Sequence, residues 1–200
     1  MQVSLGYSAL RTGFAFLPFS AGIILSAGIA SKLLPRLGPR PLMAGGFAAS
    51  AAGLAWLTGI GRHTSFATHV LPAEVVMGLG LGFAFVTLSS TALVGIGQRD
   101  AGVASALLNA TQQVGGSLGT ALLNTIFTSA VATYLVVHGR SAHALAASSI
   151  HGYRVAFTYS AGALAFAATV VLVFVKAERE HLRGEEHEPS EEAGPGVVIA

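Results

Sequence analysis

The sequence predicts an all-α integral membrane protein of about five transmembrane helices. Charged residues are only 10% of the 200-residue chain while 52% are hydrophobic; soluble domains run near a quarter charged. The acids are also segregated. Glu178, Glu180, Glu185, Glu186, Glu188, Glu191 and Glu192 sit in the tail, which leaves Glu74 and Asp100 for everything before residue 176. Two acids cannot solvate the surface of a soluble domain of that size. Finally, five apolar runs approach or exceed the roughly 20 residues needed to cross a bilayer, and lipid admits no open sheet edge, so each reads as a helix.

The first run covers residues 12–34, after a short extracellular lead-in over 1–11. Pro35, Gly38 and Pro39 then break the chain into a tight turn. Lys32, Arg36 and Arg40 make this a basic loop that can donate to helix-end carbonyls and lipid phosphates. The second run spans 41–60 and the third 70–96. The third holds Gly78 and Gly82 four apart, a spacing that puts both on one face and lets a neighbouring backbone approach. That face serves either plain helix packing or a sliding contact in a moving protein. Glu74 follows Pro72 by two residues and reads as a first-turn acid near the outer interface, favoured by the helix dipole. A proton-linked role is the sharper alternative.

The fourth run, 101–137, is too long for one simple crossing. Its small, polar first third is expected to start at or below the membrane surface and enter near Gln113; a tilted long helix is the other option. Gly115, Gly116 and Gly119 suggest a second close-packing face. Asn109, Gln113, Gly116, Thr120 and Asn124 are four, three, four and four apart, which makes one polar stripe along a helix. At membrane depth such a stripe must hydrogen-bond to a partner helix or line a water-filled cavity. The fifth run spans 153–175, preceded by an extracellular loop over 138–151. From Lys176 onward the chain is rich in Glu, His, Gly and Pro and reads as a disordered cytoplasmic tail.

With alternating helices, Lys32, Arg36, Arg40, Arg99, Lys176, Arg179 and Arg183 fall on one side, and Arg11, Arg62, Arg140 and Arg154 on the other. The richer side is expected to be cytoplasmic, with the N-terminus outside and the C-terminus inside. No basic stripe with aromatic platforms suggests nucleic acid. Cysteine is absent, so thiol chemistry is excluded. His63, His69, His138, His143 and His151 lack compact ligand spacing and read as surface residues rather than a metal site. There is no phosphate-binding loop and no nucleophile with a base at helical spacing, so no cofactor and no enzyme activity are expected.

Three segments carry a resemblance. The region Gly28 to Arg40 resembles a degenerate copy of the basic loop motif of the major facilitator superfamily, without its Asp. The segment over 6–18, with Gly6, Arg11, Gly13 and Pro18, is similar to the entry into the tenth helix of fourteen-helix drug:proton antiporters. Asp100 through Gly119, with Gln112, Gln113, Gly115 and Gly116, resembles their thirteenth helix. The resemblance covers residues 2–176 and implies most of a C-terminal bundle in a plasma-membrane, multi-pass carrier. It implies proton-coupled efflux of small hydrophobic compounds, with the missing N-terminal helices, or another copy, as partner within the lipid bilayer. Asn109, Gln112, Gln113, Thr120 and Asn124 would face the substrate cavity, with Phe14 and Phe16 as apolar contacts. Members of this branch carry embedded acids, mostly in the N-terminal half; here the only candidates are Glu74 and Asp100, the latter in a cytoplasmic loop. A truncated, non-transporting remnant or a small helix-packing partner protein is the alternative.

Overall fold

The computed structural model describes residues 8–61 and 64–175. Every regular element in them is helical: α1 (Ala9–Ala15), α2 (Leu17–Leu37), α3 (Pro39–Leu57), a π-helical turn (Phe66–Val70), α4 (Leu71–Ala92), α5 (Ala101–His138) and α6 (Ala142–Phe174). Four stretches are long and apolar enough to cross a membrane: Leu10–Leu37, Phe66–Ala92, Ala101–His138 and Ala142–Phe174. α3 is shorter, with 19 residues, but at about 1.5 Å per residue it still reaches roughly the hydrocarbon thickness.

The helices form a row in the order α2, α4, α3, α6, α5. Consecutive α2 and α3 touch each other little, because α4 is wedged against both. Small residues explain how it fits. On one side of α4, Gly78 lies against the backbone of Phe19, and Gly82 against Ile23 and Ser26. On another side, Gly80 meets Gly46 and Ser50, where an added Cβ would come within 2.5 Å of the Gly46 carbonyl oxygen and 2.7 Å of the Ser50 nitrogen. No side chain fits at these crossings, so dispersion contacts run backbone to backbone, the packing mode favoured where lipid removes the hydrophobic drive between helices. The hydroxyl of Ser50, fully buried, donates to the carbonyls of Gly46 (3.0 Å) and, across the interface, Met77 (3.3 Å). At one end of the pair Leu57, Val70 and Ala73 form a small apolar core, flanked by Phe66, Met77 and Phe157.

Several boundaries differ from those the hydropathy suggests. α2 runs through Pro35 to Leu37, so Lys32 and Arg36 lie on a helix and Arg40 on the first turn of α3. The expected basic loop is a single residue, Gly38, whose φ of 80° suits glycine. Pro35 is tolerated because the bond it deletes lies in the last turn, which the Gly38 amide closes on the Leu34 carbonyl at 2.9 Å. The lead-in is shorter than expected, since Ala9–Ala15 is helical with Ser8 accepting from the Arg11 amide. The expected loop over 138–151 shrinks to residues 139–141. Ser141 caps α6 by accepting from the Ala144 amide, and Ala142, Ala144, Ala146 and Ala147 are strong helix formers whose modest hydropathy hid them. α5 is one unbroken helix of 38 residues, about 57 Å long and so far longer than the hydrocarbon layer. The tail expected to be disordered, and Arg62 and His63, lie outside the described residues.

Candidate functional site

α5 meets only one substantial neighbour, α6, and none of its 38 residues is buried. Its half-buried positions recur at helical spacing through Ala104, Leu108, Gln112, Gly119, Leu123 and Ile126 and mark the side turned to α6. Asn109, Gln113, Gly116, Thr120 and Asn124 occupy a different side and are all exposed. Val103, Leu107, Val114 and Leu118 are exposed on a third, apolar side. The helix is thus three-sided: one side packed, one polar, one suited to lipid. Gln112 falls with the packed side, rotated by about 100° around the helix from its neighbour Gln113.

The hydroxyls on the polar side are already satisfied within the helix. Thr120 donates to the Gly116 carbonyl at 2.8 Å and Ser117 to that of Gln113 at 2.8 Å. The amides of Asn109, Gln113 and Asn124 have no such local hydrogen bond among the described residues. Gly115, Gly116 and Gly119 do not make the close approach expected of them: a Cβ at any of the three would meet nothing within 4 Å among the described residues. Glycines with that role were instead Gly22, Gly46, Gly53, Gly80 and Gly152. The signal that could have found several of them is the spacing of Gly22, Ser26 and Ala30, and of Gly46 and Ser50, four apart along one face of each helix.

Between α5 and α6 runs an open apolar groove of about 610 Å³, lined by Leu54, Gly119, Leu123, Ile126, Tyr159 and Ala163 among others. Phe14 and Phe16 are far from enclosed: they are 62% and 50% exposed at the other end of the row, around α1. The structure therefore does not bring them together with the α5 side chains. Glu74 is 5% exposed on the side of α4 that carries Gly78 and Gly82, and its Oε2 has no hydrogen-bond partner among the described residues. It is not at a free helix end, because the π-helical turn extends the helical stretch back to Phe66. Within α4 itself Glu74 lies in the first turn, as the sequence suggests, with the π-helical turn preceding it. Arg40, at the opposite end of the bundle, donates from Nη2 to the Leu172 carbonyl and so ties α3 to the last turn of α6. Arg154 mirrors it, donating from Nε to the Thr58 carbonyl at 2.7 Å.

Residues 1–120 match the model of the Major Facilitator Superfamily. The chain belongs to this family. Relatives include the "Puromycin resistance protein pur8" of Streptomyces alboniger, 42% identical over 183 residues, which are 90% of this chain and 36% of that protein. The "Cephamycin export protein CmcT" of Amycolatopsis lactamdurans is 33% identical over 63% of this chain and 26% of its own length. The "Multidrug efflux pump LfrA" of Mycolicibacterium smegmatis is 32% identical over 64% of this chain and 25% of its own. The chain therefore spans between about a quarter and about a third of the length of these relatives. Family membership and four long apolar helical stretches make it a multi-pass membrane protein.

Proposed function

We propose that the chain is the C-terminal part of a secondary active transporter that exports hydrophobic drugs or metabolites in exchange for protons, and that it is not an enzyme. The observation that carries this reading is the polar side of α5. Asn109, Gln113, Thr120 and Asn124 are exposed along a membrane-spanning helix, turned away from its one large neighbour. Unpaired amides are too costly to leave in lipid, so this side faces a partner bundle across a hydrated midplane cavity, where carriers of this architecture bind substrate. The partner is the N-terminal helices of the same transporter, or another copy. The names of the relatives, a puromycin resistance protein and exporters of cephamycin and multiple drugs, support a bulky, partly apolar substrate. Glu74 is the proton-linked acid in this reading. The basic residues Lys32, Arg36, Arg40 and Arg99 favour the Gly38 end as cytoplasmic, which puts the C-terminus on the cytoplasmic side of the plasma membrane.

Cysteine scanning tests the cavity. In membranes of cells producing the protein, Asn109→Cys, Gln113→Cys, Thr120→Cys and Asn124→Cys are expected to react with a water-soluble maleimide, and a lipophilic cationic drug is expected to slow them. Leu107→Cys and Leu118→Cys, on the lipid side, are expected to be inert. Equal reactivity on both sides, or no protection by any drug tried, would point to the alternative of a non-transporting helix-packing protein.

A further inference from the structure

α2 and α4 run side by side in a fixed register. Phe19 lies against Gly78 and Ile23 against Gly82, so each step of four on one helix matches a step of four on the other. Extended by one more turn, the same register sets Ala15 level with Glu74. Both are buried, at 8% and 5% exposed, although Leu10 and Phe14 around Ala15 are open. Ala15 is also the last residue of α1, and one turn residue of helical backbone, Phe16, separates it from α2. Pro18, in the first turn of α2, has no N–H for the Phe14 carbonyl, so the two helices are not joined by a complete hydrogen-bond ladder. The buried carboxyl thus sits beside the weakened junction of α1 and α2.

The geometry points to Glu74 as a proton-binding site that holds α1 against α4 when occupied and releases it when empty. This rests on the proton-coupled reading above and gives it a moving part. A neutral carboxyl can be buried at modest cost, whereas a carboxylate without a cation or a full set of donors cannot. Among the described residues few groups could neutralise it. On α1 there is Arg11, one turn before Ala15 and engaged in an interaction of its own. On the π-helical turn there is His69, whose Nδ1 accepts from Trp56 on the α3 side. Lys32, Arg36 and Arg40 are at the far ends of α2 and α3. Loss of the proton leaves an anion that must reach water, and the shortest route is to swing α1 outward at Phe16. α1 is short, seven residues, and among the described residues α2 is its main contact.

Spin labels on Leu10→Cys and Val76→Cys, both exposed positions, read the distance between α1 and α4 in the full chain held in lipid nanodiscs. The mean distance is expected to grow as pH rises from about 5 to about 9, a range wide enough to titrate a carboxyl in most surroundings. Glu74→Gln is expected to hold the short distance at every pH. Pro18→Ala, which restores the missing N–H and leaves Glu74 in place, is expected to reduce the opening. A pH response that survives in Glu74→Gln, a constant distance in the parent chain, or a response that follows sodium at fixed pH would each overturn the proposal. The measurement needs no substrate, so a pH-gated joint in a chain whose α5 cysteines no drug protects would refute the transport reading and leave this one standing.

Discussion

Replacing glycine has opposite consequences at positions that look alike in sequence. Gly80 abuts Gly46 and Ser50, whereas Gly115 and Gly119 face open space. Leucine at Gly80 is expected to force α3 and α4 apart and lower the thermal stability of the detergent-solubilised chain by at least the about 1–3 kcal/mol typical of overpacking. Leucine at Gly115 is expected to leave that stability unchanged in the isolated chain. A comparison of the two melting midpoints decides the matter; equal losses would mean that α5 packs against something the row of helices does not include. Ser50→Ala removes a buried hydroxyl that bridges two helices and is expected to cost less, about 0.6 kcal/mol by the average for such bonds in membranes.

At the scale of elements, hydropathy found the apolar centre of each helix and missed many of its ends. The reason lies in what sets an end. Ser141 and the alanines after it start α6 through capping and propensity, neither of which adds hydropathy, and α6 begins eleven residues before the apolar run at 153. Pro35 reads as a break and is one only for the bond it deletes. The polar stripe of α5 was legible because a spacing of three and four is a property of sequence alone. Which side α6 covers was not, since it depends on a contact between helices, and Gln112 changes sides for that reason. Phe14 and Phe16 could not be placed without knowing that α1 and α5 stand at opposite ends of the row. Topology belongs to this scale too. Ser65→Cys, before α4, and Gln98→Cys, between α4 and α5, are expected to differ on intact cells, with Ser65→Cys labelled by an impermeant reagent and Gln98→Cys protected. The reverse pattern would invert the orientation.

For the molecule as a whole, the bare polar side of α5 and the groove beside it bear on what the chain does by itself. A carrier that alternates between two sides needs a second bundle to close the cavity. The 200-residue chain reconstituted alone in liposomes is expected to give no pH-gradient-driven movement of a fluorescent lipophilic cation above that of empty vesicles. Gradient-dependent movement abolished by Glu74→Gln would show that copies of the chain complete one another, and cross-linking would display the oligomer.

The wedge of α4 also dictates an order of events during synthesis. Gly22, Ser26 and Ala30 of α2 and Gly46 and Ser50 of α3 are buried by a helix that the ribosome makes after both. Until α4 enters the membrane, the earlier pair is a hairpin without an interior, its two small-residue faces open to lipid and to any stray helix. A chain halted after Gly61 should therefore be short-lived in the cell and readily taken by membrane proteases. One halted after Leu93 should persist, because a single further helix closes both faces at once.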